Sequence, residues 1–129
     1  MLRILLFIAL LLPLLARAVS PTVAAGGDFS LFLAHDGSLL AAGADDAGQL
    51  GQRRALTTRT PVAVRLAAMQ QMASRARHNL ALDAVGAVWV WGANDEGQLG
   101  DGTRRPLSLP QKLASLATAA TATVWQRCR

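Results

Sequence analysis

Short apolar runs, each set off by glycine and small polar residues, recur along the chain from residue 29 onward. Phe29-Ser-Leu-Phe-Leu-Ala34 and Ser38-Leu-Leu-Ala-Ala42 flank His35-Asp36-Gly37. An Asp-Gly between two such runs predicts a β-hairpin, because Gly takes positive φ without a Cβ clash. A second pair, His78-Asn-Leu-Ala-Leu-Asp83 and Ala87-Val-Trp-Val-Trp91, flanks Ala84-Val85-Gly86 and carries β-branched and aromatic residues that suit a pleated surface. After each hairpin comes a Gly/Asp/Asn loop and then a Pro-led stretch, Pro61-Val-Ala-Val64 and Pro110-Gln-Lys-Leu113. Proline lacks the N–H donor, so both stretches fit an edge strand or a strand start. The segment Leu66 to Ala73 reads either as a fourth strand or as a helical turn, since Ala, Met and Gln are good helix formers. Its counterpart, Ala114 to Val124, is rich in Thr and Ala and equally open.

The two hairpins are copies of one unit. Gly43-Ala-Asp-Asp-Ala-Gly-Gln-Leu-Gly51 returns as Gly92-Ala-Asn-Asp-Glu-Gly-Gln-Leu-Gly100, offset by 49 positions. The same offset carries Leu31 onto Leu80, Leu33 onto Leu82, Gly37 onto Gly86 and Pro61 onto Pro110, and 11 of the 31 residues from 31 to 61 recur without a gap. A period of this length with four short strands per unit predicts an all-β repeat architecture of propeller-blade type. The expected organisation is a leader at 1–18, a loose lead at 19–25, a first repeat at 26–72, a second at 73–121, and at 122–129 a tail or the start of a truncated third repeat.

The run Trp91-Gly92-Ala-Asn94-Asp95-Glu-Gly97-Gln98-Leu99-Gly100-Asp-Gly-Thr103 and the opening Ala24-Ala25-Gly26-Gly27-Asp28-Phe29-Ser30-Leu31 resemble repeats of the regulator-of-chromosome-condensation family. That resemblance spans roughly residues 24 to 116 and implies β-propeller blades, of which the family uses seven. The chain departs from the pattern at Phe29, where the family has His, at Ala42, where it has Trp, and at Arg75, where it has Gly. Arg75 puts the family's opening turn in doubt, because positive φ penalises a residue with a Cβ. His78 and Trp91 restore the usual residues in the second unit, His78 looking like the family's core histidine that holds a strand through hydrogen bonds. Two repeats form an incomplete ring.

Residues 1–18 change the setting. Arg3, the apolar run Ile4 to Leu15 and Ala16-Arg17-Ala18 form a secretory signal with cleavage expected after Ala18. Twelve apolar residues are too few to cross about 30 Å of hydrocarbon at about 1.5 Å per residue, so no stable membrane insertion is expected after cleavage. The mature chain is therefore expected to be secreted or periplasmic. The net charge is +5 for the whole chain, and loss of Arg3 and Arg17 lowers it further. With no basic amphipathic helix and no aromatic-interleaved basic patch, nucleic acid is not an expected partner. Cys128 stands alone in the sequence and makes no intrachain disulfide.

The chemistry-bearing residues point away from catalysis. No serine lies in a Gly-x-Ser-x-Gly setting with a His and an acid, no glycine run carries the Lys-Ser/Thr of a phosphate loop, and the two histidines occupy different places in the repeat. No enzyme activity, metal or cofactor is expected. The loop residues remain: Asp45, Asp46, Asn94, Asp95 and Glu96, with the doublets Arg53-Arg54 and Arg104-Arg105 that follow each Gly-Gln-Leu-Gly, are the candidate partner-binding set. Arginine at two matching loops suits a contact surface for an acidic partner. The expected function is a non-enzymatic protein–protein interaction module, as a fragment or as a partial ring that self-assembles into a homo-oligomer. The family resemblance implies an alternative, guanine-nucleotide exchange on a small GTPase, against which the leader argues by compartment.

Overall fold

The computed structural model describes residues 19–53, 56–66 and 68–113. They form two four-stranded antiparallel sheets whose strands follow one another in sequence order. The first contains β1 (Thr22–Ala25), β2 (Phe29–Leu33), β3 (Leu39–Gly43) and β4 (Thr58–Val64). The second contains β5 (Met69–Arg75), β6 (His78–Asp83), β7 (Val88–Gly92) and β8 (Leu107–Lys112). No helix occurs among the described residues, and the sheets are two blades of the expected all-β repeat.

Two boundaries differ from the pattern read along the chain. Thr22–Ala25, expected as loose lead, pairs with β2 as strand β1. Met69–Arg75 is a strand rather than a helical turn, and it belongs to the second sheet, pairing with β6 from Met69↔Asp83 to Arg75↔His78. Each blade therefore begins one strand earlier than the repeat read from hydrophobic runs, and the passage between blades lies between Val64 and Met69. Local propensity left this segment open; the unpaired edge of β6 closes it, because a strand's N–H and C=O groups need partners.

Alternation along β2 and β3 places Leu31, Leu33, Leu39 and Ala41 on one face of the first sheet. Together with Leu50 and Val64 they pack against Met69, Met72, Ala81 and Trp91 of the second, so this cluster is the seam between blades. Leu31, Leu39 and Leu50 are buried to 1% exposure or less, each contributing on the order of 1.5–3 kcal/mol relative to an exposed side chain. Backbone hydrogen bonds cross the same seam, Gly27 N to Ala76 O at 2.7 Å and Met69 N to Gly37 O at 3.0 Å.

Pro61 and Pro110 lie on β4 and β8, the edge strands, beside matching irregularities: Ala41↔Val62 is followed by Gly43↔Thr58, and Val90↔Gln111 by Gly92↔Leu107. Extra residues on the edge strand leave the ring nitrogen without a ladder partner to lose. Gly43 and Gly92 end the preceding strands at φ of 119° and 104°. A Cβ at Gly43 would strike the Asp28 carbonyl, and one at Gly92 the Arg77 carbonyl; those carbonyls instead accept hydrogen bonds from Ala44 N and Ala93 N, each at 2.8 Å. At the turn between β5 and β6 the left-handed conformation falls on Ala76, φ 50°, and not on Arg75. The turn forms with a strained alanine, so the substitution at Arg75 does not block the family backbone.

Candidate functional site

The two Gly-Gln-Leu-Gly loops, which join β3 to β4 and β7 to β8, are built around buried side chains. Asn94, fully buried, donates through Nδ2 to Asp101 Oδ1 at 3.1 Å, Thr103 O at 2.9 Å and Arg105 O at 3.0 Å, and its Oδ1 accepts from Leu99 N at 3.1 Å. Asp45 holds the same place in the first loop, its Oδ1 accepting from Leu50 N at 3.0 Å and its Oδ2 buried. Burial pushes the Asp45 carboxyl above its ordinary pKa, the Leu50 and Leu56 amides pull it back, and Asp46 adds to the rise. Both residues pin loops and are closed to a partner.

The loops are also where the blades lock. The Gln49 carbonyl accepts two hydrogen bonds from the second blade, Asn79 Nδ2 at 2.6 Å and Trp91 Nε1 at 3.0 Å. All three residues are fully buried. Asn79 is itself oriented by Ser74, whose Oγ donates to Asn79 Oδ1 at 2.7 Å. Repeat equivalence puts Ser30 and Ala42 of the first blade where Asn79 and Trp91 stand in the second.

Outside this lock lies a charged rim. Asp46 of the first loop and Asp95 of the second are exposed, and Arg77, from the β5–β6 turn, reaches both: Nη1 to Asp46 Oδ2 at 3.1 Å and Nη2 to Asp95 Oδ2 at 3.5 Å. The Asp46 carboxyl is held below its ordinary pKa by hydrogen bonds from Gln49 Nε2 and from Arg77. Beside the bridge a cleft of about 510 Å³ is lined by Arg75, Arg77, His78, Asp95, Glu96 and Gln98. His78 is buried with no partner on Nδ1; burial and the charge of Arg75 lower its pKa, against a smaller opposing effect of Glu96. The hydrogen bonds expected to hold a strand through this histidine are not made at Nδ1.

The structure thus gathers Asp46, Asp95 and Glu96 at one rim and withdraws Asp45 and Asn94 into the loops. Arg53 is exposed and lines a separate groove of about 530 Å³ with Leu56, Thr57, Arg65 and Leu109. Arg104 and Arg105 are exposed, with no ion pair to the rim among the described residues. Arg54 lies outside the described residues, as do the leader 1–18, the segment 114–129 and Cys128. Arg77 and Asn79 were not on the sequence-derived set. Arg77 replaces Asp28 in the repeat, a sign change beside the acidic loop of its own blade and opposite that of the first, which the blade contact brings within reach. No group of three His, Cys, Asp or Glu side chains suited to a metal ion occurs among the described residues.

Residues 85–124 match the regulator of chromosome condensation (RCC1) repeat model. Human E3 ubiquitin-protein ligase HERC2 is 33% identical over 102 residues, covering 74% of this chain and 2% of HERC2. Among solved structures, human WBSCR16 superposes with a TM-score of 0.66 at 30% identity, covering 74% of this chain and 25% of that one. Prp20p of Saccharomyces cerevisiae, whose structure is described together with binding to Gsp1p and histones, gives 0.68 at 27% identity over 82% of this chain and 26% of that one. The chain therefore spans a small part of HERC2 and about a quarter of the solved propellers.

Proposed function

From a chain built of RCC1 repeats, we propose a module that binds another protein through the rim carrying Asp46, Arg77, Asp95 and Glu96, and that performs no chemistry itself. The observation that carries this is the Arg77 bridge, because it fixes acids from two repeats into one surface beside a polar cleft. The exposed charges are worth little to stability, since surface ion pairs typically contribute about 0–1 kcal/mol. Their arrangement instead suits electrostatic complementarity, which sets partner choice and association rate more than affinity. A related propeller, Prp20p, is described with protein partners, which supports the use of this scaffold for binding. We further propose export, on the Arg3, apolar-run and Ala16-Arg17-Ala18 pattern, so that the partner is met outside the cytoplasm.

The test is cross-linking capture in the native host with wild-type chain, an Asp46→Arg/Asp95→Arg variant and an Arg53→Glu variant. A partner held by wild type and by Arg53→Glu but lost by the rim variant is the expected result. Equal capture by the rim variant refutes the assignment of this surface. Intact mass of the recovered protein checks export: a chain beginning at Val19 is expected, and Met1 retained on cytosolic protein refutes it.

A further inference from the structure

We propose that the groove between the edge strands of the two blades binds a small amphiphilic carboxylate, with its apolar body on Leu56, Val62 and Leu109 and its anionic group at Arg53 and Arg65. The groove holds about 530 Å³, within the roughly 300–1,000 Å³ of small-molecule sites. It shares no lining residue with the cleft beside the Arg77 bridge, so this site does not rest on the rim assigned to a protein partner.

The walls come from different repeats. Arg53 and Leu56 lie on the loop joining β3 to β4, Val62 on β4, Arg65 directly after it, and Leu109 on β8. At Gly51 the loop, β4 and β8 converge: Val64 Cγ1 and Pro110 Cδ lie 2.9 and 3.5 Å from where a Cβ would stand. Leu56 is 64% and Leu109 36% exposed, and the two line one hollow instead of being scattered singly over the surface. Arg53 and Arg65 are exposed, neither makes an ion pair among the described residues, and no acid among those residues lines the groove. A guanidinium matches a carboxylate with two parallel hydrogen bonds, so two of them beside an apolar floor complement a molecule that is apolar except for its anionic group.

The repeat itself does not require this set. Shifted by 49 positions, Arg53, Leu56 and Val62 become Gly102, Arg105 and Gln111, so the same scaffold folds with polar residues where Leu56 and Val62 stand. An extended peptide is the poorer occupant. It would add a strand to the free edge of β4, but Pro61 offers no N–H there and the Ala63 carbonyl already accepts from Gln52 Nε2 at 2.7 Å.

Amide NMR titration of the full chain with 4-phenylbutyrate, and with its uncharged amide, tests this. We expect saturable shifts at Leu56, Thr58 and Leu109 with a Kd of about 1 mM or tighter, and binding of the amide at least about tenfold weaker. The Arg53→Gln/Arg65→Gln variant should lose affinity for 4-phenylbutyrate by a similar factor, while Arg104→Gln/Arg105→Gln should keep it. The amide comparison uses wild type alone and stands whether or not the variants fold. No saturable shift at the groove overturns the proposal, as does an amide bound as tightly as the acid or unchanged binding by Arg53→Gln/Arg65→Gln. A peptide of alternating Leu and Glu that displaces 4-phenylbutyrate at a lower concentration than the acid itself also overturns it, and assigns the groove to a protein.

Discussion

Removing both donors from the Gln49 carbonyl should cost more than the two removals taken separately. Trp91→Phe keeps an aromatic ring in the inter-blade cluster but deletes the indole N–H, and Asn79 at 2.6 Å still satisfies the carbonyl. A net hydrogen bond with a little lost apolar area sets the cost at about 1–2 kcal/mol. Asn79→Ala leaves the Trp91 bond in place and also releases Ser74, again costing about 1–2 kcal/mol. In the double variant Gln49 O stays buried with neither donor, and an unsatisfied buried acceptor costs about 1–3 kcal/mol by itself. The double variant should therefore be destabilised beyond the sum of the singles by about 1 kcal/mol or more. Urea unfolding of the full chain, followed by far-ultraviolet circular dichroism with an unchanged slope, measures all four corners of the cycle. Additivity within about 0.5 kcal/mol would refute the lock, because residues that share an acceptor couple and independent ones do not.

Trp91→Ala should cost about 3–5 kcal/mol, since it also opens a cavity in the cluster; an unchanged urea midpoint would show that the seam is not formed. Gly86→Ala, at φ 85° but in open space, should cost about 1–2 kcal/mol from the left-handed backbone alone, whereas Gly92→Ala should cost clearly more because its Cβ meets the Arg77 carbonyl. Equal urea midpoints for the two variants would contradict that difference. His78 has a folded pKa below its ordinary value, so the unfolded chain binds its proton first on acidification, and stability should fall as pH drops through about 6.5. His78→Phe should flatten that part of the pH profile of the urea midpoint. Asp45, whose folded pKa is raised, acts with the opposite sign: its contribution is present below its unfolded pKa and lost as pH rises through the folded one, so Asp45→Asn should help most near neutral pH.

The repeat, the hairpins and the edge prolines were legible along the chain because each rests on local chemistry. Period-two alternation, a glycine able to take positive φ and a missing N–H act over a few residues, and the 49-residue return of Gly-Gln-Leu-Gly needs no third dimension. The loops were legible as loops, but not which of their polar residues face solvent. Asp45 and Asp46 are adjacent and chemically alike, yet one is 1% exposed and the other lies open on the rim. The sequence reading left the form of Leu66 to Ala73 open and put residues 69–72 in the first repeat, whereas Met69–Arg75 is a strand of the second sheet, chosen by the edge of β6 and by pairing rather than propensity. The Gln49 lock and the Arg77 bridge were decided only by tertiary structure. The lock and the Arg77–Asp46 arm of the bridge join residues 30 or more positions apart, and their meeting depends on the stacking of two blades whose apolar faces are written in the sequence but whose register is fixed by packing.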